Sequence, residues 1–137
     1  MRLILLSNEF YQEYGNCREV LQKPNRPYVC LEMEINGVTY AIPFRHHIKH
    51  KYAFITYSEY GLDYTKSVVV VHRRYIACGT PQIDQREFDA IKGNEQKIYR
   101  GLCNYIKLYK KAMKFRNSPH YANILRCSAL QHFEEYL

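Results

Sequence analysis

A short apolar run, Arg2 to Ser7, opens the chain and reads as a first strand. The stretch that follows it, through Tyr14-Gly15-Asn16 to Pro24-Asn25-Arg26-Pro27, carries turn-forming residues and predicts irregular loop. Tyr28 to Ile35 and Val38 to Ile42 are apolar runs separated by Asn36-Gly37. Both central residues tolerate the positive φ of a type I′ turn, so the pattern predicts a β-hairpin. Pro43 is expected to end the return strand. Tyr52 to Tyr57 predicts another strand, Gly61 begins a connection, and Ser67 to Ile76, with four consecutive valines, predicts a buried strand.

The period then changes. Asp84 can cap a short helix from Gln85, with Glu87 three positions on as in a capping box, before Gly93 interrupts. Asn94 can cap a second helix through about Phe115, where Ile98, Leu102, Tyr105, Ile106, Tyr109 and Met113 recur at helical spacing. Ser128 opens a terminal helix toward Tyr136. No repeat or linker divides the sequence. The expectation is a single α+β domain over residues 1–137: a strongly curved, mostly antiparallel sheet or partly open barrel, flanked by C-terminal helices.

Composition narrows the function. The 137 residues carry a formal charge of +7, which favours a polyanionic partner. From Lys97 to Arg126 there are eight Lys and Arg and no Asp or Glu. Tyrosine, with 14 residues against no tryptophan, can fill a core and still offer a stacking face. Five cysteines, with no C-x-x-C pair, argue against a zinc or redox motif and for reduced thiols in a cytoplasmic protein. No signal h-region and no run of membrane-spanning length is present, so neither secretion nor membrane insertion is expected.

One segment carries candidate chemistry. Arg45, His46, His47, Lys49, His50 and Lys51 occupy seven positions, with no carboxylate between Thr39 and Tyr57. Such density suits an anionic ligand, because like charges repel and imidazoles titrate near cellular pH. RNA can be cut without a metal when its 2′-hydroxyl attacks the adjacent phosphorus. That step needs a base, an acid and cations, which histidine, arginine and lysine supply. Extended backbone would turn Arg45 and His47 to one side and His46 and Ile48 to the other. Arg45 with His46 or His47 is expected near the scissile phosphate, with Lys49, His50 and Lys51 guiding the RNA backbone. Three nearby histidines also allow a zinc reading, disfavoured by the surrounding cations and the lack of a carboxylate or thiol ligand. No metal or cofactor is expected.

The chain resembles toxins of type III toxin-antitoxin systems, the ToxN/AbiQ-like endoribonucleases, and most closely the TenpN branch. The likeness runs through Arg26-Pro27-Tyr28, Leu31-x-x-x-Ile35-x-Gly37-x-x-Tyr40-x-x-Pro43, the basic loop, Gly61-Leu62-Asp63-Tyr64-Thr65-Lys66, Leu108-Tyr109-Lys110 and Cys127-x-x-Leu130-x-x-Phe133-Glu134-Glu135. It implies a MazF-like RNase core and cleavage to a 2′,3′-cyclic phosphate. The implied partners are a small structured RNA antitoxin, cut from a repeat precursor and able to form closed protein–RNA assemblies, and cellular or phage RNA substrates. In the ToxN branch the loop carries Thr, Ser and Lys; Arg45 and His46 occupy the Thr and Ser positions, and Ile48 the Lys position with Lys49 beside it. Lys66 matches a recurrent lysine and joins Arg45, His46 and His47 as a candidate catalytic residue. Tyr28 and Tyr52 are candidates to stack bases, whereas Tyr40 is expected in the core. Lys97, Arg100, Lys107, Lys110, Lys111, Lys114 and Arg116 are expected to track phosphates along the long helix. The alternatives are a noncatalytic RNA-binding module and a basic surface for an acidic protein.

Overall fold

The computed structural model describes residues 2–21 and 28–137. The expected loop at Pro24 to Pro27, with the Arg26-Pro27 part of the family-like segment, lies outside the described residues. Six strands form one open antiparallel sheet: β1 (Arg2–Leu5), β2 (Val29–Ile35), β3 (Val38–Arg45), β4 (Ala53–Tyr57), β5 (Tyr60–Asp63) and β6 (Val68–Val69). The order is β1-β2-β3-β5-β4, and β6 pairs with β3 beside β5. An isolated bridge joins Leu6 to Ile76. The α-helices are α1 (Asn8–Tyr14), α2 (Gln85–Ile91), α3 (Glu95–Lys114) and α4 (Ala122–Cys127).

The β2–β3 hairpin turns as its sequence predicts, with φ of 52° at Asn36 and 79° at Gly37. Pro43, however, does not end β3, which continues to Arg45. Thr39 O accepts from Val70 N, so Thr39, Ala41 and Pro43 direct their backbone polar groups toward β6 and β5. No residue of β5 or β6 registers with Pro43, so its missing N–H falls opposite a gap between partner strands. From Tyr40 to Phe44 every residue of β3 is buried, because both faces of this central strand are covered.

Other expectations need correction. The stretch read as irregular contains α1, capped by Ser7 Oγ, which accepts from Phe10 N at 3.3 Å. Gly61 belongs to β5, reached through a turn in which Ser58 takes φ 50° without the usual Gly or Asn signal. A Cβ at Gly61 would strike the Phe54 carbonyl, so close pairing with β4 requires glycine there. The expected strand over Ser67–Ile76 shrinks to Val68–Val69. The chain then makes a 3₁₀ turn at Arg73–Tyr75 whose Tyr75 packs edge-on against Phe10. The terminal helix from Ser128 is instead two 3₁₀ turns, Ala129–His132 and Glu134–Tyr136, preceded by α4.

The two larger helix signals hold. Asp84 Oδ1 accepts from Arg86 N at 2.8 Å at the start of α2. Glu87 does not close a capping box; it is buried against β4, where Thr56 Oγ1 lies 3.4 Å from its carboxylate. At the start of α3, Asn94 donates its amide to Ala90 O rather than capping with its side chain. Of the expected stripe, Ile98, Leu102, Tyr105, Ile106 and Tyr109 are buried in the main hydrophobic cluster, and Met113 packs against it partly buried. Each fully buried Ile or Leu there contributes roughly 1.5–3 kcal/mol. Tyr40 is buried, as expected. Among the described residues, no helix is long and apolar enough to cross a membrane.

Candidate nucleic-acid interface

The basic loop is held from beneath by Asp63, the last residue of β5, which is fully buried. Arg45 Nη1 stands 2.7 Å from Asp63 Oδ2, and His50 Nε2 stands 3.2 Å from Oδ1. Thr65 adds its backbone N–H at 2.9 Å and its hydroxyl at 2.6 Å to Oδ1, so the carboxylate also caps the 3₁₀ turn Tyr64–Lys66. Burying a carboxylate costs several kcal/mol unless its lone pairs are satisfied by charged and hydrogen-bonding partners, which this set does. His50 Nδ1 accepts from Tyr52 N at 3.1 Å, so the Nε2–H tautomer satisfies both ends of the ring. The absence of acids around the loop is thus true of the local sequence but not of the fold.

The expected alternation past Pro43 breaks at His47, whose φ is 60°. Left-handed backbone is uncommon for a non-glycine residue, though histidine is among those enriched there. Tertiary contacts hold it: Ile48 is buried next in the chain, and its N–H donates to Glu59 O at 2.9 Å. Lys49 Nζ reaches Glu59 Oε2 at 3.0 Å. His46 and His47 are both exposed, whereas Ile48, expected on the same side as His46, is buried. The His46 ring stacks on Tyr60 with centroids 3.8 Å apart and planes at 15°.

From Lys51 onward the chain borders a groove of about 560 Å³ between β4 and α3. Lys51, Tyr52 and Phe54 form one wall and Lys97, Arg100 and Tyr105 the other, and among the described residues no carboxylate lines it. Tyr52 and Tyr105 meet with centroids 5.8 Å apart, Lys51 Nζ lies 5.5 Å from the Tyr52 centroid, and Lys97 Nζ lies 6.0 Å from that of Phe54. The helix can approach this closely because Gly101 faces Tyr64, whose ring a Cβ there would strike. Tyr64 Oη donates to Ile98 O at 3.0 Å, and burial pushes its phenol up to about 12. Burial also raises the Tyr105 phenol, so both rings are neutral walls.

The helix sorts the remaining cations. Lys107 and Lys111 follow Arg100 and Asn104 at helical spacing and continue the groove side, with Lys114 one turn beyond Lys110 and Lys111. Lys110 sits roughly 120° round the helix from Asn104 and faces away. Arg116 is engaged elsewhere, with Nη2 2.8 Å from Glu134 Oε1, and Tyr109 Oη donates to the same carboxylate at 2.6 Å. Lys66 Nζ donates to Cys127 O at 2.8 Å, which fastens its turn to the end of α4. Tyr28 is half-buried just before β2, with β3 and β5 between that strand and β4, and does not line the groove.

Arg45 and His50 are therefore joined through Asp63, and Lys51, Tyr52, Lys97 and Arg100 converge on one groove. The sequence reading missed Asp63, Glu59, Tyr60 and Thr65. The only local signal was Asp63-x-Thr65, which suits an Asp capping a turn. Among the described residues, no group of three or more His, Cys, Asp and Glu side chains is arranged to hold a metal ion. A scan against protein-family models finds no match, and searches of the curated proteins and of the solved structures find none either.

Proposed function

We propose that this chain is a metal-independent endoribonuclease, acting as the toxin of a type III toxin-antitoxin system in the cytoplasm. The observation that carries the reading is the cationic track that leads from the Asp63-anchored loop into an acid-free, aromatic-walled groove. Cations there release counterions from the RNA backbone, while Tyr52 offers a ring at the groove wall. Arg45 uses one guanidinium nitrogen on Asp63; its other donors suit the charge that develops on a phosphorane. His47 is exposed and without a bonded partner among the described residues, so its imidazole is the one we assign to proton transfer. The resemblance to ToxN/AbiQ-like toxins adds the MazF-like RNase core, the inhibitory repeat-derived RNA, closed protein–RNA assembly and phage RNA as a target.

Purified protein should cut RNA in EDTA to 2′,3′-cyclic phosphate ends, and His47→Ala should abolish cutting while keeping salt-dependent RNA retention. A tandem array of short repeats just upstream of the coding region would support the RNA antitoxin. One observation favours a second reading, a noncatalytic RNA-binding module: Arg45, His50 and Lys66 all engage internal acceptors. Intact RNA after prolonged incubation, with binding retained, would decide for that module. Absence of any salt-dependent RNA retention would exclude both.

A further inference from the structure

A row of flat side chains runs beside the loop and is not part of the groove. Arg86 lies over the Tyr57 ring at 4.9 Å, Tyr57 meets Tyr60 at 4.6 Å and 62°, and Tyr60 stacks on His46 at 3.8 Å and 15°. His46 is the exposed end of this row, and among the described residues Tyr60 is the one ring stacked on it. The chain on either side of it is also held. On one side Arg45 is pinned to Asp63, and on the other the left-handed His47 leads to Ile48, whose N–H is bound to Glu59 O. A flat surface already held in place loses little conformational entropy when a second ring lands on it.

The charges along the row are asymmetric. Asp84 and Glu87 lie beside the Tyr57 end, where they act on its phenol. Arg45, Lys49 and Lys51 lie in the segment that carries His46; Asp63 and Glu59 offset the first two, and Lys51 has no carboxylate partner among the described residues. A phosphodiester is therefore disfavoured at the Tyr57 end, where two carboxylates outnumber Arg86, relative to the His46 end. An aromatic face beside cations is the arrangement that holds an unpaired base, since every base has a π-face and its phosphate needs a countercharge.

Building on the RNA reading of the loop, we infer that His46 and Tyr60 form a stacking subsite for one unpaired nucleobase of single-stranded RNA. His46 is then a positioning platform, and its ring nitrogens do not carry the proton transfer. The subsite selects single strands over duplexes, because a base inside a duplex has both faces covered by its stacked neighbours.

The test uses a short single-stranded oligoribonucleotide, 2′-O-methylated throughout so that it cannot be cut, with 2-aminopurine placed at each position in turn. With the full chain, one position should lose fluorescence on binding. His46→Ala should abolish that quench and weaken binding roughly 5- to 150-fold, the range for one stacked base. His46→Phe should restore both, since a phenyl ring stacks but cannot transfer a proton, and Tyr60→Leu should weaken both. His46→Phe behaving like His46→Ala, or His46→Ala binding as tightly as the unsubstituted chain, would overturn the subsite and leave the RNA reading intact. No binding by the unsubstituted chain would remove the RNA reading, and the subsite with it.

Discussion

Arg45 and Asp63 stand 18 residues apart in the chain and 2.7 Å apart in the fold, with the carboxylate fully buried and the guanidinium at the surface. The pair exists because β3 and β5 are antiparallel neighbours, with Arg45 registered against Gly61, two residues before Asp63. Asp63 also holds His50 and Thr65, so one carboxylate fixes both ends of the basic loop and the turn that follows it.

Removing that anchor should cost stability before it costs anything else. Asp63→Ala is expected to destabilise the fold by roughly 3 kcal/mol, the lower part of the range for breaking a buried pair because Arg45 can turn to water. The urea midpoint reads this directly, and a change under about 0.5 kcal/mol, typical of a neutral surface substitution, would contradict the anchoring role.

The groove makes a prediction that stability does not. Lys97 and Arg100 are exposed, so Lys97→Ala and Arg100→Ala should leave the urea midpoint nearly unchanged. Each should weaken single-stranded RNA binding and flatten its log–log salt dependence by about 0.7 for each phosphate left without its cation. An unchanged slope in both variants would place the RNA elsewhere. Lys110→Ala, on the far side of α3, should leave that slope as it is.

Gly61 is a packing requirement. A side chain there meets the Phe54 carbonyl, and backbone yields less readily than the end of a flexible side chain. Gly61→Ala is expected to destabilise by roughly 1–3 kcal/mol through overpacking. Since β5 leads directly to Asp63, it should also disturb the loop, visible as changed chemical shifts at His46 and His50.

Glu87 gives a pH dependence with a definite sign. Burial, reinforced by Asp84, raises its carboxyl above the ordinary 4.5, whereas in the unfolded chain it titrates near that value. Between the two values the unfolded chain has released a proton that the folded chain still binds. Stability from this group is therefore greatest below the unfolded value and declines as pH rises through the folded one. Glu87→Gln, which cannot ionise, should raise the urea midpoint at about pH 7 and lose that advantage near pH 4. A variant equally or less stable at the higher pH would contradict it.

The sequence was most legible where a signal is local. The Asn36-Gly37 turn, the Asp84 cap and the stripe on α3 each depend on a few neighbouring residues, and each formed as read. Ser58 was illegible because its positive φ is imposed by the β4–β5 pairing, not by its own preference. Pro43 misled for a similar reason: a proline can sit inside a strand when its missing donor faces a gap, and only the sheet order reveals the gap. The valine run promised a long strand, but only two residues pair with β3 before the chain turns away.

By itself, the sequence determined that this chain mixes strands with helices, carries excess positive charge, and gathers that charge in the loop Arg45–Lys51 and along α3. Those properties follow from periodicity and composition, which do not depend on what lies across the fold. Only the tertiary structure decided which cations act together. Asp63 ties Arg45 and His50, Glu134 withdraws Arg116, Cys127 O takes Lys66, and the approach of α3 to β4 brings Lys51, Lys97 and Arg100 to one groove. Charge can be counted along a chain, but whether a charge is neutralised depends on distances of a few ångströms between residues far apart in it.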